Sequence, residues 1–302
     1  MNAPFLQVDV FTSAPFEGNQ LAVFHDADAT PEALMPVLAR EMNFSESTFL
    51  TSGAAAGTDQ RMRIFTPDVE LPMAGHPTIG TAFAMAALGR VRAPQPRLVF
   101  DCKVGAIPVE LVWRADGALD FAWMDQPGPV FNDPFDPALR PAVARALGVD
   151  VADLADSPPQ TISTGVPFLF VRLQSEEAVD RAWADRAALA DACTAAGEEP
   201  RSVFVFAMSA RDGVSCYSRM FAPEFGIVED PATGSASGPL GCYLLRHRLV
   251  SADDARTLVS LQGVRMGRPS RVHISITAAG QQIARVRVGG QAVIVGEGVI
   301  RR

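Results

Sequence analysis

Cysteine is the first scarcity. The 302 residues hold four, Cys102, Cys193, Cys216 and Cys242, and no C-x-x-C pair. Such spacing supplies neither a disulfide framework nor a zinc site, so the thiols read as reduced residues of a cytosolic protein. No apolar run approaches the ~20 residues that a membrane span needs. The opening Met1-Asn2-Ala3-Pro4-Phe5 lacks the basic-then-apolar layout of a signal peptide. Positive charge is also short: 26 Lys and Arg against 34 Asp and Glu leave a net charge of −8. That balance argues against nucleic acid or an anionic membrane as a general partner. No G-x-G-x-x-G follows a strand-like run and no H-x-x-x-H occurs, so neither NAD nor zinc has a signature. The expectation is a soluble cytoplasmic protein with no signature for NAD or zinc.

What is present suits buried cores. Hydrophobic residues make up 48% and charged residues 20%, and the length allows two domains of ordinary size. Strand-like runs fall at 5–11, 21–24, 61–65, 97–101, 104–113 and 119–124, then at 160–164, 167–173, 202–208, 214–221, 258–262, 271–277, 283–288 and 291–300. Helical spacing marks 31–42, with Thr30 as N-cap and Pro31 just inside, then 139–147 and a charged amphipathic stretch at 182–196. Thr78 to Gly89 carries no charge on any face, so a helix there must be enclosed, and sheet is the only wrapping on offer. Asp125 to Pro141, dense in Pro and Asp, reads as an interdomain linker. Many short strands around two buried helices predict an α+β fold without βαβ alternation. The expected domains are 1–125, with 291–302 as a candidate completion, and 126–290.

The second uncharged helix follows Glu229-Asp230-Pro231-Ala232-Thr233-Gly234-Ser235-Ala236, which reads as a helix N-terminus with Asp230 as cap and Pro231 at the first position. His76-Pro77-Thr78-Ile79-Gly80-Thr81-Ala82 has the same x-Pro-x-x-Gly-(Thr/Ser)-Ala pattern, 154 residues earlier. Arg63-Ile64-Phe65-Thr66-Pro67-Asp68 parallels Arg219-Met220-Phe221-Ala222-Pro223-Glu224 at an offset of 156, and Thr12 to Phe16 parallels Thr164 to Phe168 at 152. Three matches in order, with offsets drifting by two residues, imply two copies of one domain. Facing copies would oppose His76 and Asp230 at two helix starts, where unpaired N–H groups favour a small anionic ligand. Moving a proton within such a ligand needs a donor and an acceptor across it with water excluded, which suits an isomerase or epimerase. Inside the second helix, Pro239 removes a bond to the Ser235 carbonyl at a cost of ~3 kcal/mol unless the helix kinks or rebonds.

Several stretches together resemble the PhzF-like phenazine-biosynthesis family, which shares the diaminopimelate epimerase fold. They are Val8 to Thr12 with Pro15-Phe16 and Gly18-Asn19; Glu41 to Phe49; Arg63 to Thr66; Ala74 to Thr78; Phe221-Ala222-Pro223; Glu229 to Ala236; and Gln262 to Ser270. The resemblance implies two pseudo-symmetric domains, each a curled, mostly antiparallel sheet around a central helix, with the active site between them. It implies a homodimer that isomerises trans-2,3-dihydro-3-hydroxyanthranilate, or a similar small anionic substrate, by moving a proton without metal or cofactor. By motif match the catalytic glutamate falls on Glu46 and supporting residues on His76, Asp230 and Ser235. Gly75, Pro77, Thr78, Thr233 and Gly234 are the expected substrate contacts at the two helix starts. Gly75 also stands where cysteine-dependent epimerases of this fold carry a thiol, and residues 230–236 lack the second thiol, so racemisation by a cysteine pair is excluded.

Each residue has a plainer reading. Glu46 alone is an ordinary surface carboxylate at a strand start; in a dry cleft its pKa should rise, letting it donate and accept one proton near neutral pH. A lone histidine is more often structural, although His76, between Gly and Pro at the start of a buried helix, is a stronger candidate. Asp230 could serve only as a cap, and Ser235 only as a small packing residue. Two rival functions remain: a serine hydrolase using Ser235 and His76, and a non-catalytic binding protein on the same fold. Against the first, Gly234-Ser235-Ala236-Ser237-Gly238 puts alanine where G-x-S-x-G needs the nucleophile. The three arginines from Arg265 to Arg271 read as solvated or carboxylate-pairing.

Overall fold

Strands buried on both faces are apolar almost throughout, and half-covered strands alternate. In the computed structural model, which describes residues 2–279 and 282–301, both kinds occur. The first half runs β1 (Asn2–Val10), β2 (Asn19–Phe24), α1 (Met35–Met42), β3 (Glu46–Thr51), β4 (Gln60–Phe65), β5 (Glu70–Leu71), α2 (Gly75–Ala87), β6 (Arg97–Cys102), β7 (Gly105–Trp113) and β8 (Leu119–Gln126). Its strands bond in the order β1-β2-β3-β4-β6-β7-β8, antiparallel except for β2 with β3 and β4 with β6, and β5 is a short addition to β4.

The second half repeats this scheme. It runs β9 (Val130–Phe131), α3 (Arg140–Ala146), β10 (Gln160–Ser163), β11 (Pro167–Arg172), α4 (Glu176–Arg181), α5 (Arg186–Ala195), β12 (Ser202–Met208), β13 (Cys216–Ala222), β14 (Ile227–Asp230), α6 (Gly234–Arg246), β15 (Leu258–Gln262), β16 (Ser270–Ala279) and β17 (Gln282–Gly290). Here β9-β10-β11-β12-β13-β15-β16 bond in order, with β11–β12 and β13–β15 parallel and β14 added to β13. The last strand, β18 (Ala292–Arg301), pairs antiparallel with β1. Two compact units result, Met1–Asp125 with Gly289–Arg302, and Gln126–Val288.

The fold is α+β, with a mixed sheet in each unit. The expected absence of βαβ alternation is corrected. Each parallel pair is joined through helix: β2-α1-β3 and β4-α2-β6 in one unit, β11-α4-α5-β12 and β13-α6-β15 in the other. Antiparallel hairpins between these crossovers hide the alternation in the sequence.

Enclosure explains the two uncharged helices. α2 packs against β1, β2, β3, β7 and β18, and α6 against β10, β11 and β16, so each is surrounded by its own sheet. In the second unit, Phe168, Phe170, Phe204 and Phe206 point to the core containing Leu240, Tyr243 and Leu244 of α6. The intervening Leu169, Val171, Val203 and Val205 face the other way, onto Val143, Val179 and Leu189 of α3, α4 and α5. Strict period two thus serves two cores from one layer of strands. In the first unit Phe24 stacks on Phe49 at 4.6 Å, and Phe65 meets Phe49 edge-on at 5.4 Å, beneath Leu38 of α1.

The sequence repeat is carried into detail. Arg63 of β4 grips Glu70 of β5 through Nε (2.8 Å) and Nη2 (3.1 Å). Arg219 of β13 grips Glu229 of β14 through Nε (3.0 Å) and Nη2 (2.8 Å). Each guanidinium also lies over the phenylalanine two residues on, at 5.2 Å and 4.7 Å from the ring centre.

Local expectations need three corrections. The helix expected over 182–196 starts only at Arg186, as α5, because Trp183 N–H and Asp185 N–H bond to Leu147 and Ala146 carbonyls and hold the chain off helix after α4, while Asp185 caps α5 at Ala188 N–H. Thr30 caps no α-helix: a 3-10 turn over Glu32–Leu34 precedes α1. The stretch from Gln126 to Pro141 lies within the second unit, with β9 paired to β10 and Phe135 buried. α6 continues unbroken through Pro239. Among the described residues no helix is long and apolar enough to cross a membrane.

Candidate active site

Glu46 opens β3, pairing in parallel register with Leu21 of β2. α2 starts at Gly75, so His76 and Pro77 fall in its first turn, where backbone N–H groups lack intrahelical partners and Pro77 has none to lose. His76 is 5% exposed, and its Nδ1 lies 3.2 Å from the buried Oε2 of Glu46, whose side chain as a whole is 18% exposed. Asn19, the first residue of β2 and almost fully buried, places its amide nitrogen 3.4 Å from the same Nδ1. Its amide oxygen accepts from Ser45 Oγ at 3.3 Å. Burial pulls the His76 pKa down to about 3, and a backbone hydrogen bond with Gln20 offsets this only in part. The ring is therefore neutral near pH 7, and the short contact joins an imidazole to a carboxyl group rather than two full charges.

Thr78 donates to the Ala74 carbonyl at 2.7 Å and so closes the first turn. Gly75, His76, Pro77 and Thr78 thus form one tight corner beside Glu46. Deeper in the same unit, Thr48 Oγ1 and Thr81 Oγ1 meet at 3.0 Å between β3 and α2. This bond ties the strand that carries Glu46 to the helix that carries His76.

In the second unit the helix start differs from the sequence reading. α6 begins at Gly234 with Thr233 in the capping position, so Asp230 ends β14 and does not cap, and Pro231 is not helical. The reason is a buried amide from a distant strand. Gln262 donates to the Asp230 carbonyl at 2.8 Å and to Thr233 Oγ1 at 3.0 Å, and accepts from Thr233 N–H at 3.1 Å. Thr233 Oγ1 in turn donates to Asp230 Oδ2 at 2.5 Å. These bonds hold residues 230–233 as a turn, so the first helical residues are Gly75 in α2 and Gly234 in α6, 159 apart. Ser235 is the partly accessible residue of an otherwise buried first turn.

Three amides escaped the sequence reading. Asn19 and Gln262 lay inside stretches already singled out, but a single amide has no spacing that marks its role. Gln126 had no signal. Its side chain donates to the Gly234 carbonyl at 2.9 Å and accepts from Thr164 Oγ1 at 2.7 Å. A Cβ at Gly238 would collide with Gln126 Oε1, so that glycine is what lets the amide reach the helix.

The cysteines stand apart from this chemistry. All four are buried, and burial pushes Cys102, Cys216 and Cys242 up to about 12. Among the described residues no group of three or more His, Cys, Asp or Glu is placed to hold a metal. A groove of about 280 Å3 lined by Arg61, Arg63, Glu70 and Lys103 contains none of the expected site residues.

Comparison with known proteins decides the family. The model of the PhzC-PhzF family, described as phenazine biosynthesis-like protein, matches residues 8–298. The chain belongs to the PhzC-PhzF family. A trans-2,3-dihydro-3-hydroxyanthranilate isomerase of Pseudomonas fluorescens is 39% identical over 298 residues, covering 98% of each chain. Among solved structures, a PhzF-family phenazine biosynthesis protein of Bacillus anthracis superposes with a TM-score of 0.87 at 26% identity, covering 100% of both chains. An epimerase of Pseudomonas aeruginosa, so named by prediction, gives 0.81 at 32% identity over 99% of each. This PhzF-type chain is an isomerase with a diaminopimelate epimerase-like fold.

Proposed function

We propose that the protein moves one proton within a small carboxylate substrate, with Glu46 as both acid and base and without metal or organic cofactor. Trans-2,3-dihydro-3-hydroxyanthranilate is the first candidate, since relatives of similar length carry that activity in their names. The observation that carries the reading is the half-buried Glu46 held 3.2 Å from a neutral, buried His76. Glu46 takes a proton from an acidic C–H, leaving the electron pair delocalised in the substrate, and returns the proton to another carbon of the same molecule. His76, with its pKa pulled to about 3, does not compete for that proton near neutral pH. Gly75, Pro77 and Thr78 form the wall beside Glu46, and the start of α2 favours the substrate's negative charge. Asp230 and Ser235 are assigned supporting roles in the same catalysis, and Thr233 and Gly234 are assigned as substrate contacts. A cytoplasmic homodimer belongs to the same proposal.

The test is turnover of that compound by enzyme dialysed against EDTA, for wild type and Glu46→Gln. The proposal expects undiminished activity after chelation and a loss of roughly 10²–10⁴-fold in the variant, the usual contribution of a positioned general acid–base. Activity restored only by added metal, or a variant as fast as wild type, would overturn it.

A further inference from the structure

Three buried polar residues of the second unit are bonded in series: Gln262 on β15, Thr233 before α6 and Asp230 at the end of β14. Bonding directions leave one arrangement. The Asp230 carbonyl can only accept and the Thr233 N–H can only donate, so the Gln262 amide turns its NH2 to the first, at 2.8 Å, and its oxygen to the second, at 3.1 Å. The other amide hydrogen goes to Thr233 Oγ1 at 3.0 Å. That hydroxyl, having accepted there, gives its own hydrogen to Asp230 Oδ2 at 2.5 Å. Amide, hydroxyl and carboxylate thus form a one-way chain, and Oδ2 can end it only as an oxygen without a proton. A threonine in the capping position ordinarily accepts from a first-turn N–H, yet Thr233 makes no such bond. The first unit shows that the scaffold does not require the chain. Register sets Leu71 opposite Ile64 as it sets Asp230 opposite Met220, 156 residues on from Ile64. It sets Asp101 beside Arg61 as it sets Leu261 beside Tyr217, at the same offset of 156, so Cys102 stands where Gln262 does. Ala74 holds the capping position of α2. Leucine, cysteine and alanine therefore serve the same corner of the duplicated fold without any such chain.

We infer that Gln262 is a positioning residue for Asp230, acting through the Thr233 hydroxyl to hold the carboxylate in one orientation with Oδ2 bare. The inference rests on the supporting role proposed for Asp230 and adds what aims that side chain. Without the amide, nothing obliges the Thr233 hydroxyl to donate to Asp230, and without the hydroxyl, Oδ2 loses the donor that fixes it.

Crystal structures of full-chain variants read the orientation without substrate. In Gln262→Met and Thr233→Val, each close in shape to the residue replaced, the Asp230 carboxylate should leave its wild-type orientation, and in Thr233→Ser it should stay bonded to the new hydroxyl. A carboxylate that stays in place in both Gln262→Met and Thr233→Val overturns the inference; should Gln262→Met not fold, Gln262→Glu, which keeps the acceptor and loses the NH2, takes its place. Turnover of trans-2,3-dihydro-3-hydroxyanthranilate at equal folded concentration adds the functional readout. The expected result is kcat lower by about 10–10²-fold in Gln262→Met and Thr233→Val with KM little changed, and a smaller loss in Thr233→Ser than in Thr233→Val. In an Asp230→Ala background neither Gln262→Met nor Thr233→Val should lower kcat further, because each acts through Asp230. A packing role or a direct substrate contact would keep its full cost in that background and overturns the inference. Failure of the underlying reading is separate: there Asp230→Ala alone turns over at the wild-type rate, whatever the carboxylate does in Thr233→Val.

Discussion

Replacing Gly80 by alanine sets two effects of opposite sign against each other inside α2. Alanine is the better helix former by about 1 kcal/mol at an interior position. The added Cβ, however, would lie 2.6 Å from Val10 Cγ2 and 2.7 Å from Leu21 Cδ2, with Val8 Cγ1 at 3.7 Å. Carbon atoms pack at about 3.5–4.0 Å, so the new methyl overlaps two neighbours by close to 1 Å. Val10 and Leu21 are fully buried on β1 and β2, so neither can swing into solvent, and Val10 is stiff at χ1. Overpacking of this kind costs ~1–3 kcal/mol, which outweighs the propensity gain and leaves a net loss of about 1 kcal/mol. For a chain of this size the melting temperature should fall by about 2–4 °C. Urea unfolding followed by the fluorescence of Trp113 and Trp123, which lie in the same unit as Gly80, measures the loss directly. Gly128→Ala, where a Cβ would meet nothing within 4 Å, is the control and should be neutral. Because the overlap lifts α2 off β1 and β2, the Asn19–His76 and Glu46–His76 distances should open and turnover should fall as well. A Gly80→Ala protein that is equally or more stable would refute the claim that the helix is seated at glycine-limited distance.

The repeated Arg–Glu clamp should matter more in the second unit. Arg219 and Glu229 are each 11% exposed, against 18% and 23% for Arg63 and Glu70, and Arg219 Nη1 also donates to the carbonyls of Val179, Asp180 and Ala182. Arg219→Met strands a buried carboxylate and should cost ~3–5 kcal/mol in urea unfolding; a larger loss for Arg63→Met would contradict this. Iodoacetamide at pH 8 should label no cysteine in the native protein and four after unfolding, by mass spectrometry, since all four thiols are buried. His76 ought to shape acid stability. The unfolded ring titrates near 6.5 and the folded ring near 3, so below 6.5 only the unfolded state gains the proton. Stability should be fully present above that pH and fall on acidification toward about 3, by up to ~1.4 kcal/mol per pH unit for this one proton. A His76→Gln variant with the same slope between pH 6 and 4 would remove His76 from the account.

Much of this architecture could be read in the residues, because strands that serve a core must repeat at period two and enclosed helices must lose their charge. The runs at 97–101, 104–113 and 119–124 match β6, β7 and β8 closely, and the uncharged segment beginning at Thr78 is α2 with one more turn at its start. Other features depend on partners distant in sequence. Asp230-Pro231 has every local mark of a helix start, yet Gln262 on β15 overrides it with three hydrogen bonds. The break between α4 and α5 is made by carbonyls of α3 and the residue after it, about 38 residues upstream. β5, with two residues, is too short for any periodicity to show. At the site, the contact between Glu46 and His76 comes from packing α2 beneath β3, and no spacing announces it.

The central claim is that Glu46 carries the transferred proton. Its most direct test is the isomerisation of trans-2,3-dihydro-3-hydroxyanthranilate in D2O, with the position and amount of deuterium in product and recovered substrate read by NMR. For wild type the account predicts turnover with at most one deuterium, at the carbon that receives the proton, the fraction set by how far the proton on Glu46 exchanges with solvent before its return; for Glu46→Gln at equal folded concentration it predicts turnover and exchange slower by roughly 10²–10⁴-fold. Deuterium incorporation by Glu46→Gln at the wild-type rate would contradict it.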